Sequence, residues 1–359
     1  MADLVIDPFG GMKDLEAKII RAVGNPVERF SEDGLRPMRG CRLASQLGFE
    51  IEPETFSAMR ETNHITKMVS MERLRDELMK LLLKSPKPSK GLYLLRDSGI
   101  LQLIIPELLE GVDITQPQFH VDAVFDHILK TVDCAEDEVK LAALFHDIAK
   151  PRTFSQDEFG VHFYGHDMLG AEMTREIMTR MKFSNAEIDR VSTLVRWHMF
   201  YYPSADWRKE QGTKLKFKDA DKEEIKKQIL ESQTRKAQGG WSDAAIRRLI
   251  VNVGGEDAID QLMKLRIADA TSNPKSEFNP HELDVLSERI AEVRAKDMAL
   301  KVTDLDISGQ DLMEIFKLAP GPKIGEIMSH LLDQVIEDPL LNQREELIKL
   351  AGNFLGTSN

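Results

Sequence analysis

Six of the nine histidines in this 359-residue chain fall between His120 and His198. His127 stands in VFDHIL, the pair His146–Asp147 in LAALFHDIAKP, His166 in HFYGHDMLGAE and His198 in LVRWHM. A carboxylate, Asp269, follows in LRIADA. Neutral imidazoles and carboxylates suit borderline or hard divalent ions. Asp147 is read as a bridge between two ions. His127, His146 and Asp269 would complete one, and His166 and His198 the other. A water acidified by such ions attacks phosphate esters. Lys150, one turn after His146, is expected on the same helix face, where it would meet a substrate phosphate. Any one of these histidines alone is more simply a packed residue; the ordered set points to a metal centre. His120 and His162 are read as packing or supporting residues, His162 in a loop before the helix that starts near His166.

Short helices must bring these side chains together, as facing helices do in bundle-type metal sites. Apolar residues recur at three- and four-residue steps in Met71–Leu83, Leu141–Ile148, Ala171–Met181, Ile188–His198 and Ile324–Ile336. Alternating strand patterns are nearly absent, and only Leu4–Ile6 reads as a strand. The expectation is an all-α chain. Breaks fall at Lys84–Lys90, Gly111–Gln118 and Ser272–Pro280. Hydrophobic residues make up 42% of the chain, enough for a sizeable core. Only Cys41 and Cys134 are present, which excludes a disulfide framework or a four-cysteine zinc site. The N-terminus has no signal-peptide pattern and no segment is apolar enough to span a membrane. The expected location is therefore cytoplasmic. A net charge of −12 argues against a general nucleic-acid binder. It leaves room for a local basic face, and Trp207–Lys236 holds ten Lys/Arg against six Asp/Glu. That stretch is read as a solvated helix or loop, with a phosphate-contacting patch as the alternative.

The order H…HD…H…H…D resembles the HD superfamily of metal-dependent phosphohydrolases. FHDIAKP followed by HFYGHDMLGAE resembles the version fused to bacterial CCA-adding tRNA nucleotidyltransferases. Further segments resemble the same enzymes. IDPFGGMKDLEAKIIR (6–21) is similar to their head–neck junction, RFSEDGLRPMRGCRLASQLGF (29–49) to their nucleotide-selecting motif, and VSMERLRDELMKLL (69–82) to a following neck helix. ELLEG and, in the tail, GQDLMEIFKLAPGPKIGEIM extend the likeness over nearly the whole chain. The resemblance implies a head–neck remnant at 1–26 and a helical neck at 27–110. It implies an HD domain at 111–280 and a helical, tRNA-contacting tail at 281–359.

Asp33 and Arg36 are three apart and would share a helix face. A carboxylate and a guanidinium so placed would offer a Watson–Crick-like edge to cytosine or adenine. The alternative is an ordinary intrahelical ion pair. The resemblance implies that this pair selects CTP and ATP, with Arg39 supporting the geometry or holding a phosphate. Gly34 departs from the proline expected there. Asp7, Gly10, Gly11 and Asp14 read as a turn and a helix's acidic first turn. In the tail, Pro320–Gly325 would open a helix whose amides, with Lys323, hold an RNA phosphate; a plain proline-started helix is the alternative.

The family's catalytic head, a Gly-Ser start followed by a magnesium-binding Asp-x-Asp pair, has no counterpart here. Asp219/Asp221 and Asp304/Asp306 follow no such turn and read as helix-start or loop acids. The expectation is a nucleotidyltransferase lacking its head through truncation, division into a separate head subunit, or loss. This chain alone would not add nucleotides. Its partners would be the tRNA 3′ end, CTP and ATP. Its cofactors would be a divalent ion (Mn, Mg, Co or Ni) at the HD site and Mg²⁺ at the missing head. Two other readings stand beside this: a stand-alone HD phosphohydrolase acting on 2′,3′-cyclic nucleotides or phosphomonoesters, and a non-catalytic RNA-binding scaffold.

Overall fold

The structure is a computed structural model that describes residues 6–115, 122–157, 160–200, 241–273, 281–295 and 302–356. His120, Asp219, Asp221, most of the expected strand at Leu4–Ile6 and the basic stretch Trp207–Lys236 lie outside the described residues. The chain forms two compact units. One comprises Met1–Met199 and Asp260–Phe278, the other Phe200–Ile259 and Asn279–Asn359.

In the first unit, α1 (Gly11–Ala17) is capped by the carboxylate of Asp7, which accepts from the amides of Gly11 at 2.7 Å and Met12 at 2.9 Å. β1 (Ile19–Ile20) follows, then α2 (Pro26–Glu32), α3 (Arg36–Leu47) and β2 (Glu50–Ile51), which pairs in parallel with β1. Strands of two residues are too short to show an alternating pattern, so this pairing was not expected. The chain continues through α4 (Pro53–Thr62), α5 (Met71–Lys84), α6 (Pro88–Asp97) and α7 (Leu101–Ile104). Prolines open α2, α4 and α6, where a missing N–H costs nothing. On α5 the periodic residues Leu74, Leu78, Leu81 and Leu82 are buried. Glu77 is buried on the same helix, and Arg42 at 2.6 Å, Lys80 at 3.1 Å and Arg39 at 3.6 Å offset its charge.

Next come α8 (Val124–Cys134), α9 (Lys140–Phe145), the antiparallel hairpin β3 (Ser155–Asp157) and β4 (Gly160–His162), α10 (His166–Arg180) and α11 (Asn185–Trp197). Every residue of α9 is buried, the apolar run Leu141–Phe145 as its composition demands and Lys140 with its ammonium 2.8 Å from Asp137. The chain therefore delivers His146 and Asp147 to the interior at the end of its most buried helix. A reciprocal Ser184–Glu187 capping box starts α11.

The second unit contains α12 (Asp243–Val253), the start of α13 (Glu256–Ser272), α14 (His281–Arg294), α15 (Gly309–Phe316), α16 (Pro322–Glu337) and α17 (Arg344–Leu355). From Asp260 onward α13 belongs to the first unit. The tail core gathers Leu305, Leu312, Leu331, Val335 and Leu347. Among the described residues no helix is long and apolar enough to cross a membrane.

Candidate functional site

Five elements converge on one buried cluster. His127 lies on α8, His146 and Asp147 in the turn after α9, His166 at the first position of α10, His198 at the C-cap of α11, and Asp269 on α13. Asp147, His127 and His146 are each 1% exposed, His198 2% and His166 6%. Three imidazoles are oriented by the main chain. Nδ1 of His146 donates to Ala143 O at 2.8 Å, that of His166 to Phe163 O at 2.7 Å, and that of His198 to Val195 O at 2.6 Å. Each acceptor is the carbonyl three residues back. These bonds assign the Nδ1–H tautomer and turn the Nε2 lone pair inward.

Asp147 faces two ways. Its Oδ2 is 3.4 Å from His127 Nε2 and 3.3 Å from His146 Nε2. Its Oδ1 is 3.5 Å from His166 Nε2 and 3.6 Å from His198 Nε2. Asp269 Oδ1 closes the first group, 3.0 Å from His127 Nε2 and 3.7 Å from His146 Nε2. The ligand atoms of His127, His146 and Asp269 lie within 4.8 Å of one another, as do those of Asp147, His166 and His198.

This donor set fits a pair of cations. The Nε2 atoms of His127 and His146 face each other at 3.2 Å, and those of His166 and His198 at 3.3 Å. With Nδ1 alone carrying the proton, each such contact opposes two lone pairs, which a further proton or a cation between them relieves. Asp147 Oδ2 is buried and accepts no aligned hydrogen bond, and the Lys150 ammonium 2.6 Å away meets its charge. Burial acts to raise the carboxyl pKa of Asp147, yet the charges of His146 and Lys150 override it and hold the group well below the usual carboxylate range. Asp269 is likewise held low against burial, by hydrogen bonds from His127 and His146. Burial disfavours the charged imidazole of His146, but Asp147 and Asp269 beside it push its pKa up to about 10. For His166 burial wins and the pKa falls.

Lys150 reaches this centre by a different route from the one expected. The helix ends at Phe145, and Lys150 opens a 3-10 turn that includes Pro151. Between them the chain runs in i→i−3 turns, Ile148 N to Phe145 O at 3.2 Å and Lys150 N to Asp147 O at 3.0 Å, so His146 and Lys150 share no α-helix face. Lys150 Nζ nevertheless lies 2.6 Å from Asp147 Oδ2. His162 is in β4 rather than a loop, 2.9 Å from Asp157 Oδ1.

Ser272 was not anticipated. His127 sits inside α8, and its Nδ1 meets the Ser272 hydroxyl at 3.3 Å. Ser272 is three residues after Asp269 on α13, a spacing that puts both on one helix face and is the signal that could have found it.

In the neck, Asp33 and Arg36 do not share a helix. Asp33 caps the end of α2 in extended conformation, and α3 starts at Arg36. The carboxylate of Asp33 accepts from Leu35 N at 3.1 Å, a turn-type bond that competes with helix. Pro37 at the start of α3 also disfavours helical backbone leading into it. The side chains pair elsewhere: Asp33 with Arg73 at 3.2 Å, Arg36 with Glu32 at 2.6 Å, and Arg39 with Glu77. Burial acts to raise the pKa of Asp33, but the Leu35 amide and the charges of Arg73 and Arg39 hold it below the usual range. A methyl group on Gly34 would meet Ile65 O at 2.6 Å, so the absence of a side chain there is a packing requirement. In the tail, Lys323 is exposed on the first turn of α16, which opens at Pro322 without a side-chain cap.

Comparison with known proteins bears on the whole chain. The profile described as "Probable RNA and SrmB- binding site of polymerase A" matches residues 48–111. The HD domain profile matches 120–273, and one described as tRNA nucleotidyltransferase domain 2 matches 213–351. The A-adding tRNA nucleotidyltransferase of Deinococcus radiodurans is 30% identical over 346 residues, covering 92% of this chain and 70% of that enzyme. The CCA-adding enzyme of Ligilactobacillus salivarius is 52% identical over 84 residues, 23% of this chain and 21% of its own length. Among solved structures, the Bacillus stearothermophilus CCA-adding enzyme in complex with CTP shares the fold with a TM-score of 0.55 and 19% identity, over 98% of this chain and 69% of that one. The chain belongs to the bacterial CCA-adding tRNA nucleotidyltransferase and poly(A) polymerase family.

Proposed function

We propose that this chain carries a metal-dependent phosphohydrolase acting on 2′,3′-cyclic nucleotides or phosphomonoesters. The two-faced carboxylate of Asp147, buried among four imidazoles, carries the reading. His127, His146 and Asp269 would hold one divalent ion, and His166 and His198 a second, with Asp147 shared. The ions, Mn, Mg, Co or Ni, would when bound supply Lewis acidity for phosphate-ester hydrolysis. The chain's own residues keep the centre dry, fix the imidazole tautomers and hold the Lys150 ammonium at the shared carboxylate, where a phosphate oxygen would meet it. The test is hydrolysis of 2′,3′-cyclic AMP across the four ions, with Asp147→Ala alongside. Activity that survives in the variant removes Asp147 from the centre.

The family supports a second role, that of the base-selecting and tRNA-holding part of a nucleotidyltransferase. In this reading 1–26 joins a head to the neck, 27–110 is the neck, 111–280 the HD domain and 281–359 the tail. Asp33 and Arg36 would read the base of CTP or ATP. The carboxylate of Asp33 is already ordered by Leu35 N, and its pairing with Arg73 is partly exposed and easily exchanged. Arg39 would support the base-reading geometry, and Lys323 would meet a phosphate of the tRNA 3′ end.

Nucleotidyl transfer also needs a metal-bound carboxylate pair. Asp306 instead caps α17, accepting from Arg344 N at 3.1 Å, and lies in the tail. Transfer in this reading would require a head domain with its own Mg²⁺. A cytoplasmic location belongs to the same reading. Asp33→Ala and Arg36→Ala should each weaken CTP and ATP binding. Parent-like binding in both removes the base-reading role.

A further inference from the structure

Tyr164 is 78% exposed, two residues before His166. Its ring stacks on that of His162, with centroids 5.1 Å apart and planes 11° apart. His162 is held from behind by Asp157 across the β3–β4 hairpin. Exposure alternates along this segment as in a strand: Val161 and Phe163 are buried, Tyr164 points out. Phe163 packs edge-on against Phe154 and lies under the Lys150 ammonium, 5.5 Å from its ring centroid. Its carbonyl orients His166. Gly165, at φ 77°, then turns the chain into α10, a conformation that favours glycine.

A single exposed aromatic needs no explanation. This one is different because its inner face is already occupied by a tethered ring while its outer face is open to solvent. The Cα atoms of Tyr164 and His166 are at most about 7 Å apart, the reach of two extended residues. An exposed flat π-surface thus lies two residues along the chain from a ligand of the cluster.

We propose that Tyr164, backed by His162, is the platform on which the nucleobase of the substrate stacks while its phosphate lies at the buried centre. The proposal rests on the phosphohydrolase reading above and narrows it to substrates carrying a base. Stacking on an aromatic face is tolerant of base identity, because every base offers a π-face. The platform therefore selects nucleotides over other phosphate esters and discriminates weakly among bases.

The experiment compares adenosine 2′-monophosphate with glycerol 2-phosphate, two secondary phosphomonoesters of which only the first carries a nucleoside. Tyr164→Ala should raise the ratio of the two KM values about tenfold, the scale of losing one stacked base. Tyr164→Phe, which keeps the ring, should behave as the parent. Equilibrium dialysis of the 2′-phosphonate analogue of this nucleotide, whose C–P bond the hydrolase cannot cleave, against the manganese-loaded chain reads the same effect without turnover. There Tyr164→Ala should bind about tenfold more weakly. An unchanged ratio, or equal losses on both substrates, overturns the platform, as does a parent that fails to bind the analogue. A parent that binds it but hydrolyses neither ester overturns the phosphohydrolase reading, and dialysis still decides the stacking.

Discussion

Ser272 Oγ stands 3.3 Å from Nδ1 of His127, and its own proton goes to Asp269 O at 2.7 Å. The serine therefore acts as acceptor toward the imidazole. It does for His127 what main-chain carbonyls do for His146, His166 and His198. Partners of this kind typically change metal affinity about 10–100-fold when removed. Ser272→Ala should weaken manganese binding by that order in a chelator competition, with the circular dichroism spectrum unchanged. Parent-like affinity would mean that packing alone orients His127.

Asp147 and Asp269 should differ in stoichiometry. Asp147 touches both halves of the cluster, whereas Asp269 meets the imidazoles of His127 and His146 and turns its other oxygen to Arg266. Native mass spectrometry after manganese loading should find two ions on the parent, one on Asp269→Ala and close to none on Asp147→Ala. Equal losses in the two variants would contradict a shared Asp147.

Gly34→Ala should destabilise the neck. The added methyl would meet main-chain atoms of Ile65, which no rotamer change can move away. Overpacking of this kind costs about 1–3 kcal/mol. Urea unfolding should show the loss as a lower midpoint.

Glu77 gives the neck a pH dependence. Burial acts to raise its pKa, but hydrogen bonds from Arg42 and Lys80 hold it below the ordinary glutamate value. A folded-state pKa below the unfolded one means that the unfolded chain takes up the proton first. The stabilisation is thus fully present above the unfolded value, about 4.3 for glutamate, and is lost as pH falls through the lower folded value. Glu77→Gln should flatten the acid limb of a stability–pH curve; an unaltered limb would assign acid sensitivity elsewhere.

The sequence carried the helices well, for a physical reason. Periodic leucines such as Leu74, Leu78 and Leu81 report burial directly, and the unbroken apolar run of α9 tells that His146 and Asp147 end up inside. All six proposed ligands are gathered at one place, although Asp269 is far from the others in sequence. Local breaks were harder to see. The helix was expected to run through Asp33 and through His146, but an Asx-type turn ends the first and i→i−3 turns replace the second. The two-residue strands leave no pattern to read. Partners fixed only by tertiary packing, Arg73 for Asp33 and Ser272 for His127, are distant in sequence from what they hold.

The carbonyls that orient His146, His166 and His198 belong to Ala143, Phe163 and Val195. None of these bonds uses the side chain of the accepting residue, so substitution at those positions leaves the acceptor in place. Ligand orientation is thereby insulated from sequence drift at three of four imidazoles. It is also tied to backbone integrity, because the three acceptors lie at the end of α9, just before α10 and in the last turn of α11. Stripping metal from a loaded protein should then be felt first as faster amide exchange at those helix ends, well before the rest of the fold responds.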